Sequence, residues 1–196
     1  MPADAQSSSP RREELLEAAY AFVQGNGLTD LSLRPLAAAI GSSPRVLLFL
    51  FGSKDGLIRA ILDRARRDEV ALISELQPGT DATVADVARQ TWDWLGQPEH
   101  RPVLILWTEA YSRSLTDPAG PWSDFAASTV RDWLELLAAA QPAVRRRTKA
   151  AVAERTMALA VLRGGLLDLL ATGDTDRVTE AVELAIRNLA PKAVDT

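Results

Sequence analysis

The chain has 196 residues, a formal net charge of −4, no cysteine and one histidine. This length provides one sizeable core or two small ones, and the lack of cysteine excludes disulfides, thiolate nucleophiles and cysteine-ligated metals. No apolar run approaches the roughly 20 residues that a membrane span needs, and residues 1–10 have no apolar centre of a signal peptide. We therefore expect a cytoplasmic protein without a membrane partner.

Positive charge is concentrated towards the N-terminal end. Residues 1–67 contain nine Lys and Arg against seven Asp and Glu, whereas residues 68–196 contain thirteen against nineteen. A DNA-binding surface needs positive charge, so a nucleic-acid site is expected in the N-terminal part. Differences of this size also occur on ordinary protein surfaces.

Apolar residues at helical spacing, separated by Gly and Pro turns, predict an all-α chain. Ser32, Ser43 and Ser53 stand at the starts of the second, third and fourth helices as N-caps, and Gly41 follows the second helix. The nine predicted helices span residues 11–24, 33–40, 44–50, 54–76, 82–95, 102–115, 121–140, 144–171 and 175–189.

The most informative segment runs from Ser32 to Lys54. Two short helices flank the turn Gly41-Ser42-Ser43, and the small side chain of Ala37 permits close packing of the pair. Gly41 tolerates the positive φ that such a turn requires. This is the pattern of a helix-turn-helix, whose second helix enters the major groove of DNA. A generic helical hairpin has the same local pattern.

The wider pattern resembles the TetR family of transcriptional regulators over residues 11–62. The resemblance depends on the opening of the first helix, on the Gly41 turn, and on Phe51-Gly52-Ser53-Lys54 before Leu57. It implies a disordered tail (1–10), a helix-turn-helix domain (11–55), a connecting fourth helix (54–76) and a helical ligand-binding and dimerisation domain (77–190). It also implies a ligand-responsive regulator, a repressor that binds a palindromic DNA operator as a homodimer.

Each DNA-contact candidate has a chemical reason. Arg45 is suited to bidentate hydrogen bonding with guanine, and Pro44 and Val46 to contact with a thymine methyl group. Side chains at helix starts, and a nearby arginine, are suited to phosphate contact. Simple capping or solvation is the alternative for each. The candidates are Ser32, Arg34, Ser43, Pro44, Arg45, Val46, Phe49 and Lys54.

One departure from the family concerns the residues before Phe51. The family usually has a Tyr, and often a His, in this stretch, whereas this chain has Leu48-Phe49-Leu50. Tyr and His hydrogen-bond to phosphates, and each lost neutral bond costs about 1 kcal/mol. Weaker DNA binding is expected. The alternative function is a TetR-like ligand-binding or interaction protein that has lost specific DNA binding.

Aromatic residues are concentrated in the middle of the chain. Small-molecule pockets are mainly apolar and aromatic with a few polar groups, and the resemblance implies an unknown effector that binds here. Packing of the same aromatics in the core is the alternative. The ligand-binding candidates are Trp92, Trp107, Thr108, Glu109, Tyr111, Trp122, Phe125 and Trp133.

The last two predicted helices carry a broad apolar stripe, and Gly164-Gly165 permits close approach of another backbone. In TetR-like proteins the corresponding pair packs against its symmetry mate, and a dimer places two recognition helices about 34–36 Å apart. Burial within one subunit is the alternative. The interface candidates are Leu159, Leu162, Leu166, Leu169, Leu170, Val178, Val182 and Ile186.

Catalysis is not expected. The single histidine, His100, and the lack of cysteine leave no triad, dyad or zinc set, and neither a GxGxxG motif nor a P-loop is present. Arg145-Arg146-Arg147 with Lys149 forms the only dense basic cluster of the body, and such a run is more often a solvated helix face than a second nucleic-acid site. We predict a non-enzymatic protein without cofactor or metal.

Overall fold

A computed structural model describes residues 10–28, 30–79 and 81–189 of the chain. All regular structure in these ranges is helical, which confirms the predicted all-α class; the predicted tail before Pro10 and residue 190 lie outside them. No single described helix is long and apolar enough to cross a membrane, and only the bent pair of the second and third helices passes that test by length and composition. A short 3-10 helix, Pro98–His100, accompanies nine α-helices: α1 (Pro10–Asn26), α2 (Leu33–Ala39), α3 (Pro44–Phe51), α4 (Lys54–Glu75), α5 (Val84–Leu95), α6 (Arg101–Thr116), α7 (Phe125–Ala139), α8 (Lys149–Thr172) and α9 (Thr175–Leu189).

The described residues pack into two units. Unit 1 contains the residues up to Arg67 together with Ile105–Phe125, and unit 2 contains Asp68–Leu104 and the residues from Ala126 onwards. Both α4 and α6 therefore begin in one unit and end in the other. The sequence assigned every residue after 76 to the body, whereas the packing groups Ile105–Phe125 with the N-terminal helices.

The core of unit 1 holds two short helices in place. Because α2 has seven residues and α3 has eight, neither is stable by helix propensity alone, and both depend on burying an apolar face. Their buried side chains join a cluster that also includes residues of α1, α4 and α6. Representative members of this cluster are Leu15, Leu16, Leu36, Leu47, Phe51, Leu57, Ile61, Leu106 and Ala110.

A long-range hydrogen bond joins α6 to the end of α1 within unit 1. After α1, Gly27 adopts φ 77°, and the backbone N–H of Leu28 donates to Oε2 of Glu109 over 2.9 Å. The Leu28 side chain is itself buried in the core. Glu109 therefore supplies an acceptor to a turn 81 residues earlier in the chain.

In unit 2, α5, α8 and α9 pack around Trp92. This side chain is fully buried, and its indole N–H donates to Oγ1 of Thr179 over 3.2 Å. Gly165 on α8 permits the close approach, because a Cβ there would lie 2.6 Å from Cγ2 of Val182 and 3.0 Å from Cζ3 of Trp92. The neighbouring Gly164 has nothing within 4 Å of such a Cβ. Close packing inside the subunit therefore requires only one glycine of the pair.

A buried carboxylate joins α4 and α7 within unit 2. Glu69 is 1% exposed, and its oxygens accept hydrogen bonds from the indole N–H of Trp133 at 2.7 Å and the hydroxyl of Thr129 at 3.2 Å. Burying a carboxylate is costly unless it is hydrogen-bonded. These two donors offset that cost.

Three helices begin later than the sequence predicted. Residues 117–124 form turns, and Asp124 has φ 64°, so α7 starts at Phe125 rather than 121. Thr148 caps α8 by accepting from the N–H of Ala151, so α8 starts at 149 rather than 144. Similarly, Thr83 and Asp86 form a capping box, and α5 starts at 84 rather than 82.

The two glycines of α8 form a matched pair for a stability test. We expect Gly165→Ala to lower the free energy of unfolding by about 1–3 kcal/mol, because the added methyl group meets Val182 and Trp92. By contrast, Gly164→Ala has open space and is expected to raise it by about 0.5–1 kcal/mol through helix propensity. Urea unfolding at a protein concentration low enough to keep the protein monomeric measures both, and equal effects would contradict this account of the packing inside the subunit.

A second test concerns the acceptor that Glu109 provides. Glu109→Ala leaves the N–H of Leu28 without that acceptor, so we expect a loss of about 1–3 kcal/mol in the free energy of unfolding. Glu109→Gln keeps an acceptor oxygen and is expected to lose less. Glu135 is exposed on α7, and Glu135→Ala serves as the control, with a change within about 0.5 kcal/mol. If Glu109→Ala lowers the free energy of unfolding no more than Glu135→Ala does, the hydrogen bond to Leu28 does not contribute to stability.

Candidate nucleic-acid interface

The turn between α2 and α3 has the geometry of a helix-turn-helix. The two helices are bent by 101°, within the roughly 90–120° typical of the motif. Gly41 adopts φ 63°, as its position in the turn requires, and the N–H of Ser42 bonds to the carbonyl of Ala37 over 2.8 Å. The side chain of Ala37 is buried, so the packing role inferred for it from the sequence is also observed.

The start of α3 is fixed by a cap. Ser43 is extended at φ −131°, its Oγ accepts from the N–H of Val46 over 3.3 Å, and Pro44 follows at the first helical position. Pro lacks the N–H that would otherwise remain unpaired in the first turn. The hydroxyl oxygen of Ser43 thus acts as the acceptor of the helix cap, and the hydroxyl proton is still able to be donated to a phosphate.

Helical geometry decides which side chains of α3 face outwards. Leu47 and Phe51 are 1% and 8% exposed, and at 100° per residue Phe49 lies about 160° from each of them around the helix axis. Phe49 is accordingly 86% exposed. Arg45, one turn earlier and about 40° from Phe49 around the axis, is also exposed.

The remaining outward side chains of α3 are apolar. Val46 is 38% and Leu48 is 41% exposed, while Leu50 is partly buried against the core of unit 1. The sequence did not select Leu48 as a surface residue, although its spacing of three residues from Arg45 signals that it shares that face. The outer surface of α3 therefore combines one guanidinium group with several apolar side chains.

The other DNA-contact candidates lie near the starts of α2 and α4. Ser32 occupies the N-cap position of α2 with extended backbone, as the sequence predicted, but its side chain makes no capping hydrogen bond. Arg34, in the first turn of α2, and Lys54, the first residue of α4, are exposed. Before Lys54, Oγ of Ser53 accepts from the N–H of Gly56 over 2.9 Å, as the sequence predicted.

Arg12, which the sequence did not single out, lies against the end of α3. Its guanidinium carbon is 4.9 Å from the centroid of the Phe51 ring, a distance at which a cation is attracted to the aromatic face. The contact places a positive charge over the ring of a core residue. Such a long-range pairing has no signature in local sequence.

The ligand-binding candidates divide between the two units. In unit 1, Trp122 and Phe125 are buried in the core and Trp107 packs against it, while Thr108 and Tyr111 are half-buried on α6. Glu109, on the same helix, accepts the Leu28 N–H. In unit 2, Trp92 and Trp133 are both buried with their indole N–H groups bonded. The unit 2 tryptophans thus serve the core, which was the alternative reading of the sequence.

The interface candidates on α8 and α9 are mostly occupied inside unit 2. Leu166 and Leu170 are half-buried, and the other six are buried: Leu159, Leu162, Leu169, Val178, Val182 and Ile186. These six side chains pack within one subunit and are not available to a partner. The exposed side of the two helices instead carries small and apolar residues: Ala153, Met157, Ala160, Gly164, Leu167, Ala181 and Leu184.

Two of the arginines in the basic cluster before α8 have structural partners. Arg146 donates to the carbonyls of Gln141 and Ala139 at 2.7 and 3.0 Å, near the end of α7, where helix carbonyls lack intrahelical donors. Arg145 pairs with Glu154 over 3.3 Å. These contacts favour the interpretation of the run as part of the helix connection.

The single histidine lies in a local stack. The rings of His100 and Trp94 are 3.7 Å apart between centroids and 13° from parallel, and Nδ1 of His100 is 2.7 Å from the carbonyl oxygen of Trp94. Among the described residues, no group of three or more His, Cys, Asp or Glu is placed to hold a metal ion. This arrangement supports a local packing role for His100.

No protein-family model and no curated protein matches the chain. Solved structures do match it over most of its length. A TetR-family member from Streptomyces coelicolor A3 shares 26% identity with a TM-score of 0.71, covering 93% of this chain and 99% of that one. A TetR transcriptional regulator from Legionella pneumophila shares 18% identity with a TM-score of 0.72, covering 93% and 98%.

A third similar structure is the multidrug binding protein EbrR complexed with imidazole. It shares 24% identity with a TM-score of 0.65, covering 94% of this chain and 96% of that one. The neighbours named as TetR regulators are transcriptional regulators rather than enzymes. The chain therefore has the fold of the TetR-family transcriptional regulators.

Proposed function

We propose that the chain is a cytoplasmic, ligand-responsive transcriptional regulator, a repressor that binds a palindromic operator as a homodimer. The observation that carries this proposal is the outward face of α3, where Arg45 and Phe49 point away from the core on a helix set at 101° to α2. A helix held in this way is suited to entering the major groove.

The candidate residues are of two kinds: some are suited to contact base edges and others to contact the phosphates of the DNA. Arg45 is suited to the O6 and N7 acceptors of guanine, and Pro44 and Val46 to apolar contact beside it. Arg34 and Lys54 supply positive charge for phosphates, which fix register and orientation without reading sequence. Ser32 and Ser43 add hydroxyl groups at the helix starts.

A small-molecule effector is expected to act through α6. Trp107, Thr108 and Tyr111 are half-buried there, so they combine apolar surface with polar groups, as ligand sites do. The same helix bonds to the turn after α1 through Glu109. The similar structure of a multidrug binding protein agrees with a ligand-binding role. A ligand that displaces α6 would change the DNA affinity only by its difference in affinity for the two states.

The second copy is expected to pack on the exposed side of α8 and α9. Leu167 is 54% and Leu184 is 58% exposed, and the small residues beside them allow close approach of another helix. A two-fold interface uses the same patch on both subunits. The two copies of α3 would then read two half-sites together.

A TetR-fold protein without specific DNA binding is the second candidate. The exposed apolar side chains of Val46, Leu48 and Phe49 favour it, because an apolar helix face is also a common protein-binding surface. The absence of the usual Tyr and His before Phe51 agrees with it. DNA binding by the purified protein distinguishes the two functions.

Arg45 gives the first test of the proposed function. A half-site is selected from a random duplex library with the wild-type protein at low salt, where phosphate contacts are strongest. Arg45→Ala is expected to weaken binding to it by about 1–3 kcal/mol and to relax specificity at one base pair. Lys54→Ala is expected to weaken all duplexes alike and to reduce the salt slope by about 1.

Arg59→Ala is the matched control, since Arg59 is exposed on α4 outside the proposed surface. It is expected to bind the selected duplex like the wild type. If the wild type shows no sequence preference even at low salt, the second candidate function is favoured and the first is abandoned.

The dimer is tested by charged substitutions on the exposed side of α8 and α9. Leu167→Arg and Leu184→Arg are expected to shift the protein from dimer to monomer in sedimentation velocity, because each buries a charge without a partner. Leu115 is 66% exposed on α6, and Leu115→Arg is expected to leave the dimer intact. A monomeric wild type, or dimers in all three variants, would contradict this interface.

A further inference from the structure

The outward face of α3 has an unusual composition for a DNA-reading helix. Arg45 is the only residue of α3 with a polar side chain. Phe49 is 86% exposed at the point of the helix farthest from the core, with Val46 and Leu48 on either side of it. When a partner removes an exposed aromatic ring of this size from water, the free energy of the complex is lowered.

The major groove offers one apolar group to such a face. Base edges there present hydrogen-bond donors and acceptors, and the only apolar substituent is the C5-methyl group of thymine. Phe49, Val46 and Leu48 have no side-chain donors or acceptors, so they gain nothing from the polar edges. Contact with methyl groups is the way in which these side chains can distinguish one base pair from another.

We infer that α3 reads the 5-methyl groups of pyrimidines through Phe49, with Val46 and Leu48 beside it. This inference rests on the proposed DNA-binding function and names the chemistry of the operator. The operator half-site contains thymine where Phe49 contacts it. Replacing that thymine by uracil removes only the methyl group and weakens binding.

The exposed charges of α2, α3 and α4 favour DNA over an apolar protein partner. Arg45 lies on the same side of α3, Arg34 is exposed in the first turn of α2, and Lys54 is exposed at the start of α4. Exposed cations on α3 itself and at the starts of the helices before and after it in the chain suit contact with phosphates. An apolar protein groove would leave these charges without partners.

The inference also concerns modified DNA. 5-Methylcytosine carries its methyl group at the same ring position as thymine. A cytosine in contact with Phe49 is therefore bound more tightly when it is methylated. Phe49 thus prefers the methyl group itself, whichever hydrogen-bonding groups the base presents in the major groove.

The experiment uses the full-length protein and the duplex that the wild type selects from the random library. Each thymine of the half-site is replaced in turn by uracil, and the dissociation constant is measured by fluorescence anisotropy. We expect one or two positions at which uracil weakens binding about fourfold, the effect of one buried methyl group. At those positions, 5-methylcytosine in place of cytosine in a C·G variant is expected to strengthen binding to a similar degree.

Phe49→Ala provides the decisive second arm. This variant is expected to bind the thymine duplex about tenfold more weakly than the wild type and to bind the thymine and uracil duplexes equally, since the residue that senses the methyl group is absent. Phe49 is largely exposed, so the fold should persist, which circular dichroism checks. Leu115→Ala, at an exposed position of α6, is expected to keep the full discrimination of the wild type.

The possible results separate this inference from the function on which it rests. If the wild type prefers no sequence at low salt, the proposed function fails and the inference fails with it. If the wild type selects a sequence but uracil has no effect at any position, or Phe49→Ala discriminates as strongly as the wild type, regulation through DNA stands and methyl reading by Phe49 is overturned. If α3 binds an apolar protein segment and the protein prefers no DNA sequence, both the proposed function and the inference are overturned.

Discussion

The burial of Leu47 and Phe51 is the constraint on which the candidate interface depends. An eight-residue helix is too short to persist in water by itself. These two side chains attach α3 to the core of unit 1 and thereby set its rotation. With that rotation fixed, Phe49 and Arg45 must face outwards. A rotation of one residue would bury a different pair and present a different surface.

Unit 1 is completed by a segment distant in sequence. The segment Ile105–Phe125 contributes Leu106, Ala110, Trp122 and Phe125 to the same core that holds α3. Glu109 adds a hydrogen bond to the turn that precedes α2. A ligand that contacts Trp107 or its neighbours on α6 would thus act inside the unit that presents α3, without needing a longer route.

Local signals in the sequence predicted much of this structure. Ser43, Pro44 and Gly41 mark the start of α3 and the turn before it, and the structure shows the cap and the positive φ that these residues imply. The late starts of α5 and α8 also had local signals, because Thr83 and Thr148 are good N-caps. The contacts of Glu109 and Glu69 had none, since their partners lie more than 50 residues away.

The apolar stripe of α8 shows why the exposed side could not be predicted in the same way. This helix carries apolar or small residues nearly all round, so spacing alone does not say which side packs inside the subunit. Leu159, Leu162 and Leu169 are buried against unit 2. The side left exposed carries Leu167 among alanines and a glycine. Which side of α8 is buried is decided by the positions of α5 and α9, which local sequence does not give.

The replacement of the usual Tyr and His by Leu48-Phe49-Leu50 changes the balance between affinity and specificity. Each neutral hydrogen bond to a phosphate contributes about 1 kcal/mol, and each methyl group buried against an apolar side chain contributes about 0.8 kcal/mol. These magnitudes are similar, so under the proposed function each methyl contact in the groove would offset most of one lost phosphate bond. Phosphate bonds are the same for every sequence, whereas methyl contacts depend on the base. Under the proposed function, an apolar α3 would therefore keep affinity for an operator that carries methyl groups while weakening binding to other DNA.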